Sequence, residues 1–198
     1  MIQFLAAAAL LAGTVVPVAA DDPPPPGRLT ANLITVNGSG CPAGASSVVV
    51  QEDKLGVSLR HDPPLLAVPS SPTTTNCHLV IKLNIPADYA FAIQPITHHG
   101  SAQLPKGATA RLSSHAWLPG MADTMTTHRF AGPYDQQFEV TDRHDPAAPV
   151  YGPCGGSQFT AKFELSVQAP AGSTARLQLG VEDFDRSTDY HLRWKKCR

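Results

Sequence analysis

The strongest constraint on the fold is an alternation of apolar and polar residues with a period of two. Phe159, Ala161, Phe163, Leu165 and Val167 alternate with Thr160, Lys162, Glu164, Ser166 and Gln168. The same rhythm runs through Leu79, Ile81, Leu83 and Ile85, and through Ala175, Leu177, Leu179 and Val181. Successive side chains of an extended strand point to opposite faces, so each segment has one apolar and one wet face, as in an antiparallel sheet packed on one side. Further candidate strands are Leu29–Val36, Ser47–Gln51, Leu55–Leu59, Tyr89–Ile96, Ala108–Leu118, Thr124–Phe130, Gln137–Thr141 and Asp189–Lys196. Turn formers separate them, among them Asn37-Gly38, Pro119-Gly120, Gly132-Pro133 and Gly152-Pro153. Nineteen prolines in the chain leave no convincing amphipathic helix after residue 20, because an interior proline removes a hydrogen bond and clashes with the preceding turn. The expected fold class is all-β, a single-domain antiparallel β-sandwich over residues 29–198.

Residues 1–20 are apolar and uncharged, and end Val18-Ala19-Ala20 before Asp21-Asp22. Small residues at the last and third-last positions suit signal peptidase, and Pro17 interrupts a stretch that is short of a membrane span. A signal peptide over 1–20 and a secreted, extracellular product are therefore expected. Residues 21–28, with Pro23-Pro24-Pro25-Pro26, favour polyproline II and read as an exposed N-terminal spacer.

Outside the cell, four cysteines, Cys41, Cys77, Cys154 and Cys197, read as disulfides. Three pairings are open, and sequence alone does not choose among them. The sequential one, Cys41–Cys77 with Cys154–Cys197, closes two loops of moderate length and is the expectation carried forward. Lys and Arg number 15 against 16 Asp and Glu, which gives no electrostatic case for nucleic acid or an anionic membrane as partner.

The cysteine contexts carry a resemblance. Asn37-Gly38-Ser39-Gly40-Cys41-Pro42, Asn76-Cys77-His78-Leu79, Gly132-Pro133-Tyr134, Gly152-Pro153-Cys154-Gly155-Gly156 and Tyr190-His191-Leu192-Arg193-Trp194-Lys195-Lys196-Cys197 follow one another in that order. The chain thus resembles a secreted fungal and actinobacterial family of unknown function, numbered 4360. It departs from that family before the second cysteine. An aromatic, acidic and glycine-rich run is usual there, and this chain has Arg60-His61-Asp62-Pro63-Pro64 and Pro69-Ser70-Ser71-Pro72-Thr73 instead. The resemblance implies a small secreted β-protein and supplies no reaction and no catalytic residues.

Asn37-Gly38-Ser39 is a glycosylation sequon, which makes Asn37 a candidate glycan carrier. Eight histidines include His98-His99, His61-Asp62 and His144-Asp145, but no ligand spacing accompanies them. They read as scattered surface and loop residues, and neither a metal nor a cofactor is expected. Glu182, Asp183, Asp185 and Asp189 lack the pattern of an EF-hand and read as a solvated turn. No nucleophile elbow or zinc-protease motif occurs, so no catalytic residue is named. Tyr190, Leu192 and Trp194 share one parity and belong to the core, whereas Trp117 and Tyr151 lie beside Pro-Gly and Gly-Pro turns and are the candidate binding aromatics. The leading expectation is a monomeric, non-enzymatic extracellular protein of binding, wall-associated or effector type, with cell-wall glycans or a host surface protein as partner. The alternative is a polysaccharide hydrolase whose carboxylate pair forms only in the fold.

Overall fold

The computed structural model describes residues 21–69, 74–143, 149–180 and 186–198. The expected signal peptide, His144-Asp145 and Glu182, Asp183 and Asp185 lie outside these residues. Among the described residues twelve strands are formed: β1 (Thr30–Asn37), β2 (Ser46–Val50), β3 (Gly56–His61), β4 (Leu65–Ala67), β5 (Thr74–Asn84), β6 (Tyr89–Leu104), β7 (Thr109–Trp117), β8 (Thr124–Ala131), β9 (Tyr134–Asp142), β10 (Gln158–Gln168), β11 (Arg176–Leu179) and β12 (Thr188–Lys196). They build two antiparallel sheets. One has five strands in the order β1-β5-β10-β7-β8; the other runs β2-β3-β12-β6-β11-β4, with β9 paired to β6. The all-β sandwich expected from the alternation is the fold observed.

Each sheet turns its apolar parity inward. Leu79, Ile81 and Leu83 of β5 and Phe159, Phe163, Leu165 and Val167 of β10 are at most 1% exposed. Across from them lie Leu59 of β3, Phe91 of β6 and Tyr190 and Trp194 of β12, equally buried. Removing such side chains from water supplies the main drive to bring the sheets together, at about 25 cal/mol per Å² of apolar surface.

Two departures from the sequence reading have local causes. β6 runs through Pro95 to Leu104, well past Ile96 where the candidate strand ended. Against β12, Tyr190 pairs Ile96 while Leu192 pairs Ile93, so Gln94 and Pro95 together oppose His191. A bulge takes up the proline that a regular ladder would reject. Gly100 sustains the continuation, since a Cβ there would lie 2.2 Å from the Gln178 carbonyl and 2.4 Å from the Phe138 ring. β4 lies outside the candidate strands, because three residues are too few to show a period.

The disulfides are Cys41–Cys77 and Cys154–Cys197, the sequential pairing. The first ties the segment after β1 to β5, and the second ties the segment before β10 to the end of β12. The proline-rich stretch is mostly exposed, but it is tethered rather than free. Asp22 N donates to Trp194 O, Lys196 N donates to Asp22 Oδ2, and Pro25 is buried with its carbonyl accepting from Lys54 Nζ.

Candidate functional site

The outward parity of the five-stranded sheet places polar and aromatic side chains in rows across neighbouring strands. His78 of β5, Lys162 of β10 and His115 of β7 form one row, and Trp117 pairs Thr160 in the next. The indole of Trp117 and the imidazole of His78 lie nearly parallel, 13° apart in plane with centroids 6.2 Å apart. Both are half-buried, so a flat aromatic surface sits on a solvent-facing sheet. Fixed polar groups surround it. Lys162 Nζ lies 2.6 Å from Glu164 Oε1, His115 Nδ1 lies 2.8 Å from Asp123 Oδ2, and the Ser113 and Thr127 hydroxyls are 3.0 Å apart. The Lys162 hydrogen bond is the chief reason that the Glu164 carboxyl is held below its ordinary pKa.

Of the two aromatics expected to bind, only Trp117 belongs to this surface. The Tyr151 hydroxyl donates to Asp21 Oδ1, and Lys195 Nζ stands 5.7 Å from its ring centroid. Tyr151 therefore braces the N-terminal stretch against β12. Asn37 is exposed at the end of β1, and the following Gly38 adopts φ +132° close against Asn76.

The histidines correct the sequence reading most sharply: several are interior rather than scattered over the surface. His98 and His99 lie within β6, and as adjacent strand residues they face opposite ways. His98 points between the sheets and is 0% exposed. Its Nε2 donates to Asp142 Oδ2 at 3.1 Å, and its Nδ1 lies 3.1 Å from the Thr188 hydroxyl oxygen. His128 Nε2 donates to the other Asp142 oxygen at 2.6 Å. The acceptor-only carboxylate between the two rings requires a proton on each Nε2 that faces it. Burial acts to raise the Asp142 pKa, but the hydrogen bonds from His98, His128 and Ser114 outweigh it and hold the carboxyl below its usual range.

Thr188, His98 and Asp142 are connected in the order of a hydroxyl–imidazole–carboxylate triad, yet Thr188 is 0% exposed and Asp142 only 1%, so no substrate reaches the hydroxyl. On the other face His99 Nε2 donates to Asp189 Oδ2 at 3.2 Å, Arg186 Nε reaches the same oxygen at 3.0 Å, and Ser58 Oγ donates to Asp189 Oδ1 at 2.6 Å. Here the serine meets the carboxylate rather than the imidazole, so the imidazole is not placed to activate it as a base. Asp189, read from sequence as part of a solvated turn, is 5% exposed. Burial would raise its pKa, but the His99 and Ser58 hydrogen bonds and the Arg186 charge keep it low. Among the described residues no group of three or more His, Cys, Asp or Glu is placed to hold a metal ion.

A cavity of about 350 Å³ opens at the Trp117 end of the sandwich, lined by Ile93, Ile96, Ala116, Leu118, Met121 and Val150 among others, with no carboxylate among the described residues of its wall. These features define a disulfide-pinned β-sandwich with an aromatic, polar outer face and a buried Thr188–His98–Asp142 group. The chain belongs to the family described as "Domain of unknown function (DUF4360)", whose model matches residues 28–197. An uncharacterized secreted protein of Arthroderma benhamiae is 26% identical over 174 residues, covering 83% of this chain and 70% of that one. Its description agrees with the extracellular expectation. Among solved structures, TmCBM61 in complex with beta-1,4-galactotriose is 10% identical and covers 82% of this chain and 87% of that chain, with a TM-score of 0.27. The enzymatically active domain of bacteriophage CBA120 tailspike protein 4 is 11% identical, covering 85% of this chain and 19% of that chain, also with a TM-score of 0.27. Scores at that level carry no argument about fold or ligand.

Proposed function

We propose that the protein is a secreted, non-enzymatic binding protein that engages cell-wall or host-surface glycans through the outer face of its five-stranded sheet. The observation that carries this reading is the Trp117–His78 surface, set on a rigid sheet among polar side chains already held by Lys162–Glu164, His115–Asp123 and Ser113–Thr127 contacts. A flat ring packs against the apolar face of a sugar, and pre-fixed polar partners cost little ordering entropy when hydroxyls dock beside it. The buried state of the Thr188–His98–Asp142 and Ser58–Asp189–His99 groups supports binding over turnover. The test is a pull-down of the disulfide-intact protein on immobilised wall polysaccharides. Trp117→Ala is expected to weaken retention by about thirtyfold, the size of an aromatic anchor. Equal retention of the variant, or no retention of the natural protein on any glycan, overturns the reading.

A further inference from the structure

We infer that this same face selects anionic glycans, with Arg111 and Arg129 receiving the negative group; the inference rests on the glycan-binding reading above. Arg111 of β7 stands directly opposite Arg129 of β8. Like charges facing each other across an antiparallel pair repel and destabilise it, and a guanidinium does not relieve the repulsion by losing its proton. Both side chains are exposed, and they border a surface recess of about 430 Å³ together with Thr109, Ser166 and Gln168, with no acidic residue among the described residues of its lining.

Two other polar pairs on this face are already engaged, Lys162 with Glu164 and His115 with Asp123. The acid closest in register is Glu164, which pairs Ser113 one row along the sheet. It is engaged first by Lys162, and Arg111 is only a minor contributor to holding its carboxyl low. The arginine row therefore concentrates two cations where one carboxylate is already committed to a third. Planar guanidinium forks match carboxylate and sulfate oxygens two at a time, and the Thr109 and Ser166 hydroxyls and the Gln168 amide add donors around them.

Spacing extends the argument from a charge to a polymer. Arg111 and Trp117 lie six residues apart on β7 with the same parity, a distance of about 20 Å at strand rise. No single sugar spans it. A linear chain lying along β7 reaches both, stacking at Trp117 and placing an acidic group between the arginines. A neutral chain would leave the arginine repulsion unrelieved, so the discrimination is by charge.

The experiment compares polygalacturonate, dextran sulfate and a neutral linear β-1,3-glucan as probes, using natural protein, an Arg111→Gln/Arg129→Gln double variant and Trp117→Ala. The double variant is expected to lose about tenfold or more of its affinity for an anionic probe while its affinity for the neutral glucan stays unchanged. Its melting temperature should hold or rise, since a repulsive pair has been removed, which separates lost binding from lost folding. Loss confined to polygalacturonate identifies a carboxylate ligand, and loss confined to dextran sulfate a sulfate ester; either supports the inference. If anionic probes bind the double variant as tightly as the natural protein while Trp117→Ala still fails on the glucan, the charge inference falls and the glycan reading stands. If no probe binds the natural protein, both fall together.

Discussion

At the scale of single residues, burial rather than residue type decides what the histidines do. His61 is 4% exposed, its Nδ1 lies 2.9 Å from Ser46 Oγ, and its Nε2 finds no hydrogen-bond partner among the described residues. The ring also packs edge-on against Phe163, with centroids 5.8 Å apart. Burial lowers its pKa from 6.5 to about 4. Below pH 6.5 the unfolded chain therefore binds a proton that the folded chain refuses, so folded stability is greatest above that value and falls as pH drops through the interval down to about 4. The loss amounts to about 3 kcal/mol across the interval. Urea unfolding at a series of pH values should show this slope in the natural protein and a shallower one, by about one proton, in His61→Leu. An unchanged slope in the variant would place the proton uptake elsewhere. No motif distinguishes His61 from an exposed histidine in the sequence. Its parity with Val57 and Leu59 was the one available signal, and Asp62-Pro63 beside it reads as a turn.

At the scale of elements, Asp142 fastens β9 to β8, a strand with which no ladder joins it. It lies on β9, in the same sheet as His98 of β6, while His128 belongs to β8 at the margin of the other sheet. β8 and β9 are consecutive in the chain but lie in different sheets, so this carboxylate closes one side of the sandwich with a polar link. Asp142→Asn replaces an acceptor with a group that must turn its NH₂ toward one of two donor nitrogens. Equilibrium denaturation should show a loss of about 3–5 kcal/mol, as when one partner of a buried ionic network is removed. A change under 1 kcal/mol would mean that the link is dispensable. Because the folded-state pKa of Asp142 is depressed, the stability it contributes is present above its unfolded value near 4 and is lost as pH falls through the folded value. That acid limb lies below the one due to His61. Alternation made β8 and β9 visible as strands, but the candidate strand Gln137–Thr141 stopped one residue short of Asp142, which the structure includes in β9. What the sequence did not show is that an inward carboxylate would meet imidazoles from two other strands, one of them in the opposite sheet.

At the scale of the whole molecule, the two disulfides join segments 36 and 43 residues apart, and each restricts the unfolded chain. On the chain-entropy model each is worth about 4 kcal/mol. That is a large share of the roughly 5–15 kcal/mol that holds a typical domain together. Thermal melts should therefore move sharply downward on reduction. Cys41→Ser/Cys77→Ser and Cys154→Ser/Cys197→Ser variants should each lose a comparable amount, and a double-cysteine variant that melts with the natural protein would show its bridge to be neutral. Cys154–Cys197 carries a further consequence, because it anchors the end of β12 close to where Asp22 and Lys196 are bonded. The N-terminal stretch is thus tied to the last strand of the domain.

The sequence by itself determined the fold class, eleven of the twelve strands among the described residues, and the inward parity of Tyr190, Leu192 and Trp194. Those properties depend on a two-residue period and on local turn chemistry, which are written along the chain. Tertiary structure decided the rest: which cysteines meet, which histidines are interior, that Tyr151 is occupied by Asp21 and Lys195, and that Arg111 faces Arg129. Each of these is a contact between strands or segments distant in sequence, set by sheet order and register. Alternation says which way a side chain points, and only the assembled sheets say what it meets.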